Sequence, residues 1–452
     1  MKKSIRKYKV SFFVILMILI ICVQATAEEE KLPIAYTIDE CIHMALRQSP
    51  AILAARQEMN RTRGVIYEAW SSILSLNAEG SYTYMETPQG MTIPKDSFAP
   101  TIPSTDIFLG SPSNKSYMLA VDATLPVFTG GRVMSGISIA YLQDDIALFE
   151  YKKATYDTVY AVKTAFYGIL LAKDLVRVRT DALDLLVEHY ETTKKKYDVG
   201  VVSRFDLLRS EVELANARPP LIEARNDLAI SYEQLKRVLG VDVDEPFEIE
   251  GELEFREIDV SLDDFLDRAS VASPDLVISR KLETIAKKNV RMAVGEFLPS
   301  VTAFARYEWA SDELHVEFSE DNWEYTFGAI VTVPIFDLMI SASKLKQAKA
   351  EYEMARIGYL DTTNSVKVDV KEAYYDLVEA IEIIESQRLN IEVAEESLRI
   401  AEVRYENGIS TLLELLDTQL AVTEAKLNYL NALFNFEESY ARLISIVGGE
   451  EE

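Results

Sequence analysis

Residues that carry chemistry are scarce in this chain. Its 452 residues include two cysteines and three histidines. The histidines, His43, His189 and His315, are widely separated in helical or loop contexts and read as packing or surface residues. No zinc spacing, redox cysteine pair, nucleophile elbow or Gly-rich phosphate loop is present; the TGG of 129–131 lacks the Lys-Ser/Thr a phosphate loop requires. Enzyme readings therefore rank last, and no cofactor is expected. Long apolar runs are equally rare: beyond residue 27 none reaches the ~18 residues of a membrane helix. Basic residues are also short, 47 Lys and Arg against 73 Asp and Glu, for a formal net charge of −26. So acidic a surface repels phosphate backbones and argues against nucleic acid as a partner.

What is present starts with a leader. Lys2, Lys3, Arg6, Lys7 and Lys9 precede the apolar FFVILMILIIC (12–22), and Ala25-Thr26-Ala27 stands before Glu28. Residues 1–27 thus read as a signal peptide cleaved after Ala27. Cys22, with the bulky Ile21 before it, is an unconvincing lipid-attachment site. Cleavage would leave Cys41 as the mature chain's cysteine and no intrachain disulfide.

The rest is one plan written twice. At an offset of 208, YDVGVVSRFDLL (197–208) falls on YENGISTLLELL (405–416), and Ala217, Tyr232, Leu235 and Gly240 fall on Ala425, Tyr440, Leu443 and Gly448. Nearer each start the offset is 224: IDECIHMALRQSP (38–50) matches LDDFLDRASVASP (262–274). The first copy therefore has 16 extra residues, placed in the Pro- and Ser-rich 90–114 and read as a long loop at one tip.

Each copy runs helix, two strands, very long helix, Gly turn, helix. The first repeat spans 28–242, with strands about 75–86 and 116–126, a long helix about 131–199 and a helix about 203–240. A linker, 243–260, follows. The second repeat spans 261–449, with strands about 299–310 and 323–334, a long helix about 341–407 and a helix about 411–446. The opening helix of each is read as roughly 40 residues.

The strands carry period-two alternation. Leu76, Ala78, Gly80, Tyr82 and Tyr84 interleave with Asn77, Glu79, Ser81 and Thr83; Tyr325, Phe327, Ala329 and Val331 interleave with Glu324, Thr326, Gly328 and Ile330. Four such strands suit either a soluble sheet packed on helices or a lipid-facing barrel, and the export signal favours the barrel. One chain cannot close a barrel with four strands, but several chains can by pooling them.

Between Val133 and Val199 there is no proline, and ~65 helical residues at about 1.5 Å each would run about 100 Å. Apolar positions step by four and three (Leu171, Leu175, Val178, Ala182, Leu185; Ile391, Ala394, Leu398, Ala401, Tyr405), the spacing of coiled coils. Pro219-Pro220 predicts a kink or break in the helix after the first Gly turn.

The tandem copies, the segments LPVFTGGR (125–132) and VPIFDLMI (333–340), and the Y-x-x-G-x-x-(S/T)-x-x-(D/E)-L-L joints together resemble TolC-like outer-membrane efflux proteins over essentially the whole mature chain. The resemblance implies a mainly α fold with a transmembrane β-barrel in the bacterial outer membrane. It implies a homotrimer whose twelve-stranded barrel, set in outer-membrane lipid, continues as a long α-helical coiled-coil barrel through the periplasm. It further implies an exit duct for an inner-membrane transporter, joined through a periplasmic adaptor (membrane fusion) protein and passing drugs, small molecules or proteins. A periplasmic coiled-coil scaffold or adaptor without a barrel is the alternative. A plain porin is disfavoured, because a pore needs no rod of that length beneath it.

Residue types at the joints suggest their own roles. Gly200 and Gly408 fit helix stops of positive φ, after Tyr197 and Tyr405 in the last helical turns. Ser203 and Thr411 suit N-caps, with Asp206 and Glu414 as capping-box partners. Asp417 has Arg209 as its first-copy counterpart, so the joints differ in charge. Glu414 and Asp417, three apart on one helix, project from one side. The resemblance implies that they line the closed periplasmic aperture as an acidic ring that favours cations and could hold a divalent ion; a solvated acidic patch at a helix start is the plainer reading. It also implies that Tyr405 and Asp206 help latch the closed end. A basic residue of that latch corresponds here to Ser410, while Arg204 and Arg209 lie in the other joint, so a rewired latch is expected.

Overall fold

A computed structural model of the chain describes residues 35–86, 90–93, 107–110, 114–314, 323–335 and 338–449. The expected leader, His315 and part of the tip loop lie outside the described residues.

The first half opens with β1 (Ala35–Tyr36), α1 (Ile38–Gln48), α2 (Pro50–Ser71) and β2 (Ser75–Tyr84). A short hairpin, β3 (Gly90–Ile93) and β4 (Ile107–Gly110), then precedes β5 (Lys115–Phe128), α3 (Arg132–Asp198) and α4 (Arg204–Leu239). After β6 (Glu248–Ile249) the order recurs: α5 (Leu262–Ala272), α6 (Pro274–Gly295), β7 (Ser300–Ser311), β8 (Trp323–Thr332), α7 (Leu338–Glu406) and α8 (Leu412–Val447).

Three features differ from the sequence expectation. The opening helix of each repeat is two helices, because proline drives the residue before it out of the α region. Ser49 (ψ 133°) and Ser273 (ψ 121°) are accordingly extended. Conversely, α4 runs unbroken through Pro219-Pro220. The carbonyls those prolines leave without a donor belong to Ala215 and Asn216, both exposed, so water can satisfy them. Finally, the stretch expected as an open tip loop contains the antiparallel β3–β4 pair, with Gly90 opposite Gly110 and Ile93 opposite Ile107.

The chain forms two compact units. Of the described residues, one unit takes those within 35–49, 161–256 and 380–438, the other those within 50–160, 257–379 and 439–449. Neither coincides with a repeat, since α3 and α7 each contribute residues to both.

In the first unit, Cys41 and Ala45 of α1, Val162, Phe166, Ile169 and Leu170 of α3, and Leu235 and Leu239 of α4 form a core with Phe247 and Ile249. The inter-repeat linker is part of that core. Its β6 pairs in parallel with β1, and Lys173 donates to the Ile249 carbonyl at 3.0 Å. Further on, Phe255 packs edge-on to Phe436 and Arg256 reaches Glu437 at 3.4 Å. Burial pushes the Cys41 thiol up to about 12, as expected of an inert core cysteine.

In the second unit, the four long strands make one antiparallel sheet in the order β2-β5-β7-β8. Ser75 faces Thr124, Ala123 faces Ala305 and Ala305 faces Phe327, so β5 and β7 join the two repeats edge to edge. A bulge between Pro126 and Phe128 shifts the β5–β7 ladder just before its last pair, Phe128 with Val301. One face presents exposed Leu76, Val121, Tyr325, Phe327 and Val331. The other carries Arg306, bonded to Glu308 at 2.6 Å and Asp122 at 3.4 Å. Alternation thus sorts apolar from charged side chains across a single sheet. No described helix is long and apolar enough to cross a membrane.

Candidate functional site

Both joints close by the same backbone device. In the first, Gly200 has φ +79° and donates to the Tyr197 carbonyl at 2.9 Å, while Val201 donates to Lys196 at 2.8 Å. In the second, Gly408 has φ +69° and donates to Tyr405 at 3.1 Å, while Ile409 donates to Arg404 at 2.8 Å. These paired bonds satisfy the last carbonyls of α3 and α7 and turn the chain.

The caps then diverge. Ser203 and Asp206 form a full capping box: the Asp206 carboxylate accepts from the Ser203 N–H at 3.1 Å, and the Ser203 hydroxyl accepts from the Asp206 N–H at 3.2 Å. In the second joint only half the box forms. Thr411 accepts from the Glu414 N–H at 3.2 Å. The Glu414 carboxylate instead accepts from the Ser410 hydroxyl at 2.6 Å and pairs with Arg404 at 2.9 Å.

Tyr405 is the buried centre of the second joint, packed among Ala401, Leu412, Leu415 and Leu416 with Leu186 and Leu398 around them. Its hydroxyl shares a 3.2 Å hydrogen bond with Thr193 of α3. Lys196 sits 4.2 Å from its ring centroid and donates to its carbonyl at 3.3 Å. A cation over an aromatic face and a buried hydroxyl pair therefore tie the end of α7 to the end of α3.

The structure brings Glu414 and Asp417 to one groove of about 760 Å³ between α7 and α8, which Glu424 also lines. Asp417 faces a second, smaller cavity too, shared with Arg209. Asp206 is engaged in its own cap, and Tyr405 meets Thr193 and Lys196. Tyr197 and Arg204 are exposed. Thr193, Lys196 and Arg404 were missed by sequence reasoning. One signal was available, since Lys196 and Arg404 are repeat equivalents and basic residues in the last turn of a long helix. Near this end Glu402 is held above the ordinary carboxylate range, by burial first and then by Glu188 and Glu406. Burial lowers His189, whose Nε2 has no hydrogen-bond partner.

The sequence profile described as "Outer membrane efflux protein" matches residues 41–241 and 265–449. The chain is 20% identical over 303 residues to the outer membrane protein TolC of Vibrio cholerae, covering 66% of this chain and 69% of that one. It is 23% identical over 296 residues to a probable efflux pump outer membrane protein, TtgC, of Pseudomonas putida, covering 64% of this chain but 60% of that relative. Its fold is similar to the crystal structure of the Campylobacter jejuni CmeC outer membrane channel. The TM-score is 0.80 at 16% identity, over 91% of this chain and 85% of that one.

Proposed function

The chain belongs to the outer membrane efflux protein family and is an outer-membrane duct for efflux or secretion with a helical periplasmic part; on that premise we propose how its parts do the work. Three copies pool their four-stranded sheets into a closed twelve-stranded barrel in outer-membrane lipid. The carrying observation is the sheet itself. Among the described residues β2 and β8 each pair on one side only, while Tyr325, Phe327 and Val331 stand exposed on one face and Arg306 with its carboxylates occupies the other. Open strand edges do not persist in hydrocarbon, so neighbouring copies must supply the missing partners.

Below the barrel, α3, α4, α7 and α8 of each copy continue the conduit through the periplasm. A periplasmic adaptor joins it to an inner-membrane transporter, which supplies the energy; the duct has no catalytic step of its own. Drugs, small molecules or proteins pass through. The two joints form the periplasmic end. Gly200 and Gly408 set its turns, Tyr405 with Thr193 and Lys196 pins α7 to α3, and Glu414 and Asp417 of three copies ring the aperture. Arg404 takes over from α7 the basic role that Ser410 cannot fill.

The test is the detergent-purified, full-length protein. It is expected to run as a trimer, to remain with outer membranes after carbonate extraction, and to give single-channel currents in planar bilayers. A monomer that carbonate releases and that conducts nothing would replace this reading with the periplasmic scaffold.

A further inference from the structure

The two helices that lead into the sheet, α2 and α6, carry matching stripes just beneath it. On α2 and the turn after it the stripe is Arg63, Tyr67, Trp70 and Leu74. At the repeat offset of 224, α6 and its following turn give Lys287, Arg291, Val294 and Leu298. Steps of four, three and four keep each stripe on one side of its helix, and every one of these residues is exposed. The opposite side of α2 is occupied differently: Val65, Glu68, Ala69 and Ser72 line a groove of about 600 Å³ shared with α3. Beyond Leu74 the first stripe leads into exposed Leu76 on the apolar face of the sheet. Trp70 Nε1 donates to the Tyr141 hydroxyl of α3 at 3.2 Å, and both rings stay half exposed.

Neither stripe holds an acid, in a chain with 73 Asp and Glu against 47 Lys and Arg. Arg63, Lys287 and Arg291 form no ion pair among the described residues. Arg61 and Lys281, on other sides of the same helices, are answered by Glu58 at 2.6 Å and Asp145 at 2.7 Å. Glu283, a turn before Lys287, accepts from the Tyr352 hydroxyl at 3.5 Å. Unanswered cations are therefore gathered on the stripes.

We propose that these stripes select net-anionic phospholipids from the leaflet facing the periplasm, with Arg63, Lys287 and Arg291 holding headgroup phosphates. The inference rests on the duct reading above, which puts the apolar face of the sheet in lipid. The order of side chains along each stripe carries it. Away from the sheet they pass from leucine through an aromatic or valine to cations, as a bilayer passes from hydrocarbon to headgroups. Trp70 and Arg63 stand about 10 Å apart along the axis, at about 1.5 Å per residue. The headgroup layer is about 5–8 Å deep, and a long basic side chain closes the gap by reaching towards it. A guanidinium takes two phosphate oxygens at once. Charge sets the preference: the ammonium of a zwitterionic lipid meets these cations with repulsion, and a net-anionic headgroup does not.

The experiment places the full-length protein in vesicles of phosphatidylethanolamine mixed with phosphatidylglycerol, one or the other brominated near its headgroup. The chain has three tryptophans, so the Trp70 signal is read as the difference between wild type and Trp70→Phe. Brominated phosphatidylglycerol is expected to quench Trp70 with about fivefold preference or more, the factor one basic residue near an anionic surface gives. Arg63→Gln, Lys287→Gln and Arg291→Gln together should bring that ratio to about one, with trimer mass and bilayer conductance unchanged. Arg61→Gln, at a cation already paired, should leave the ratio in place. Equal quenching by both lipids in wild type overturns the proposal, and so does a preference that the triple variant keeps. Quenching by neither lipid overturns it too; a wild-type affinity for purified peptidoglycan that the triple variant loses would then give the stripes to the cell wall. Dissociation of the triple variant would assign them to a neighbouring copy and likewise overturn the proposal. Wild-type protein that neither trimerises nor conducts would remove the duct reading instead.

Discussion

At the scale of single residues, Gly200 and Gly408 are required for their backbone rather than for space. Both have positive φ, yet a Cβ built on either would meet nothing within 4 Å. The cost of a side chain there is therefore conformational strain alone, about 1–2 kcal/mol. Gly408→Ala should lower stability by that amount in denaturant titration. Gly358→Ala, at an equally open site inside α7, should raise it by about 0.5–1 kcal/mol, because there glycine only adds freedom to the unfolded chain. The opposite signs are the check. Tyr405→Phe should cost about 0.5–1.5 kcal/mol through loss of the Thr193 partner. It should also make the end of α7 exchange amide hydrogens faster, while the cation–π contact from Lys196 persists. Much of this joint was legible in the sequence, because glycine, cap residue and carboxylate obey local rules at fixed spacing. The partners of Tyr405 and Glu414 were not. Thr193 is 212 residues from Tyr405, and no local rule could choose between Ser203-like capping and Arg404 as the use of the Glu414 carboxylate.

At the scale of elements, helix ends followed local chemistry while prolines needed tertiary context. Pro50 and Pro274 each begin a helix and end the one before, which the sequence pattern joined because its apolar spacing carries across the break. Pro219-Pro220 was expected to kink or break α4, and the helix continues through them without a break. Its substitution is accordingly informative: Pro219→Ala should stabilise α4, by up to about 3 kcal/mol, since a proline-free interior regains its hydrogen bond. A melting temperature unchanged or lowered would mean that the prolines meet a packing need. The linker shows the reverse limit. Residues 243–260 read as a plain connector, yet Phe247 and Ile249 complete the first unit's core, a role set by distant α1, α3 and α4. Charge across elements gives a pH prediction. Glu402 of α7, raised from its ordinary 4.5 by burial and by Glu188 of α3 and Glu406, binds its proton more tightly folded than unfolded. Stability should therefore fall as pH rises from 4.5 through its raised value. Glu402→Gln should flatten that dependence and raise the melting temperature at pH 7 but not below 4.5.

At the scale of the whole molecule, the proposed aperture at the second joint is where a duct would have to be tight at one end while staying fluid-filled along its length. Sheet pooling among copies needs only edges and alternation, both legible from the strands; the charge of the aperture depends on which carboxylates are already answered. Glu414 is offset by Arg404 at 2.9 Å and by the Ser410 hydroxyl, whereas Asp417 is exposed in the same groove. The field at the proposed aperture is therefore weighted towards Asp417. Removing both carboxylates, Glu414→Ala with Asp417→Ala, should increase small-ion conductance or reduce cation preference in planar bilayers. Asp417→Ala alone should account for most of the change, read as the reversal potential across a salt gradient. Glu414→Ala alone frees Arg404, so its shift towards anions should be lost when Arg404→Ala is added, because the pair then leaves together. The whole effect should shrink at high ionic strength, as mobile ions screen exposed carboxylates beyond about one Debye length. A current–voltage curve that the double variant leaves unaltered would take the aperture away from these two residues. It would place them in the plainer role that helix starts give to acids, where they answer the N–H groups of α8 and nothing that passes.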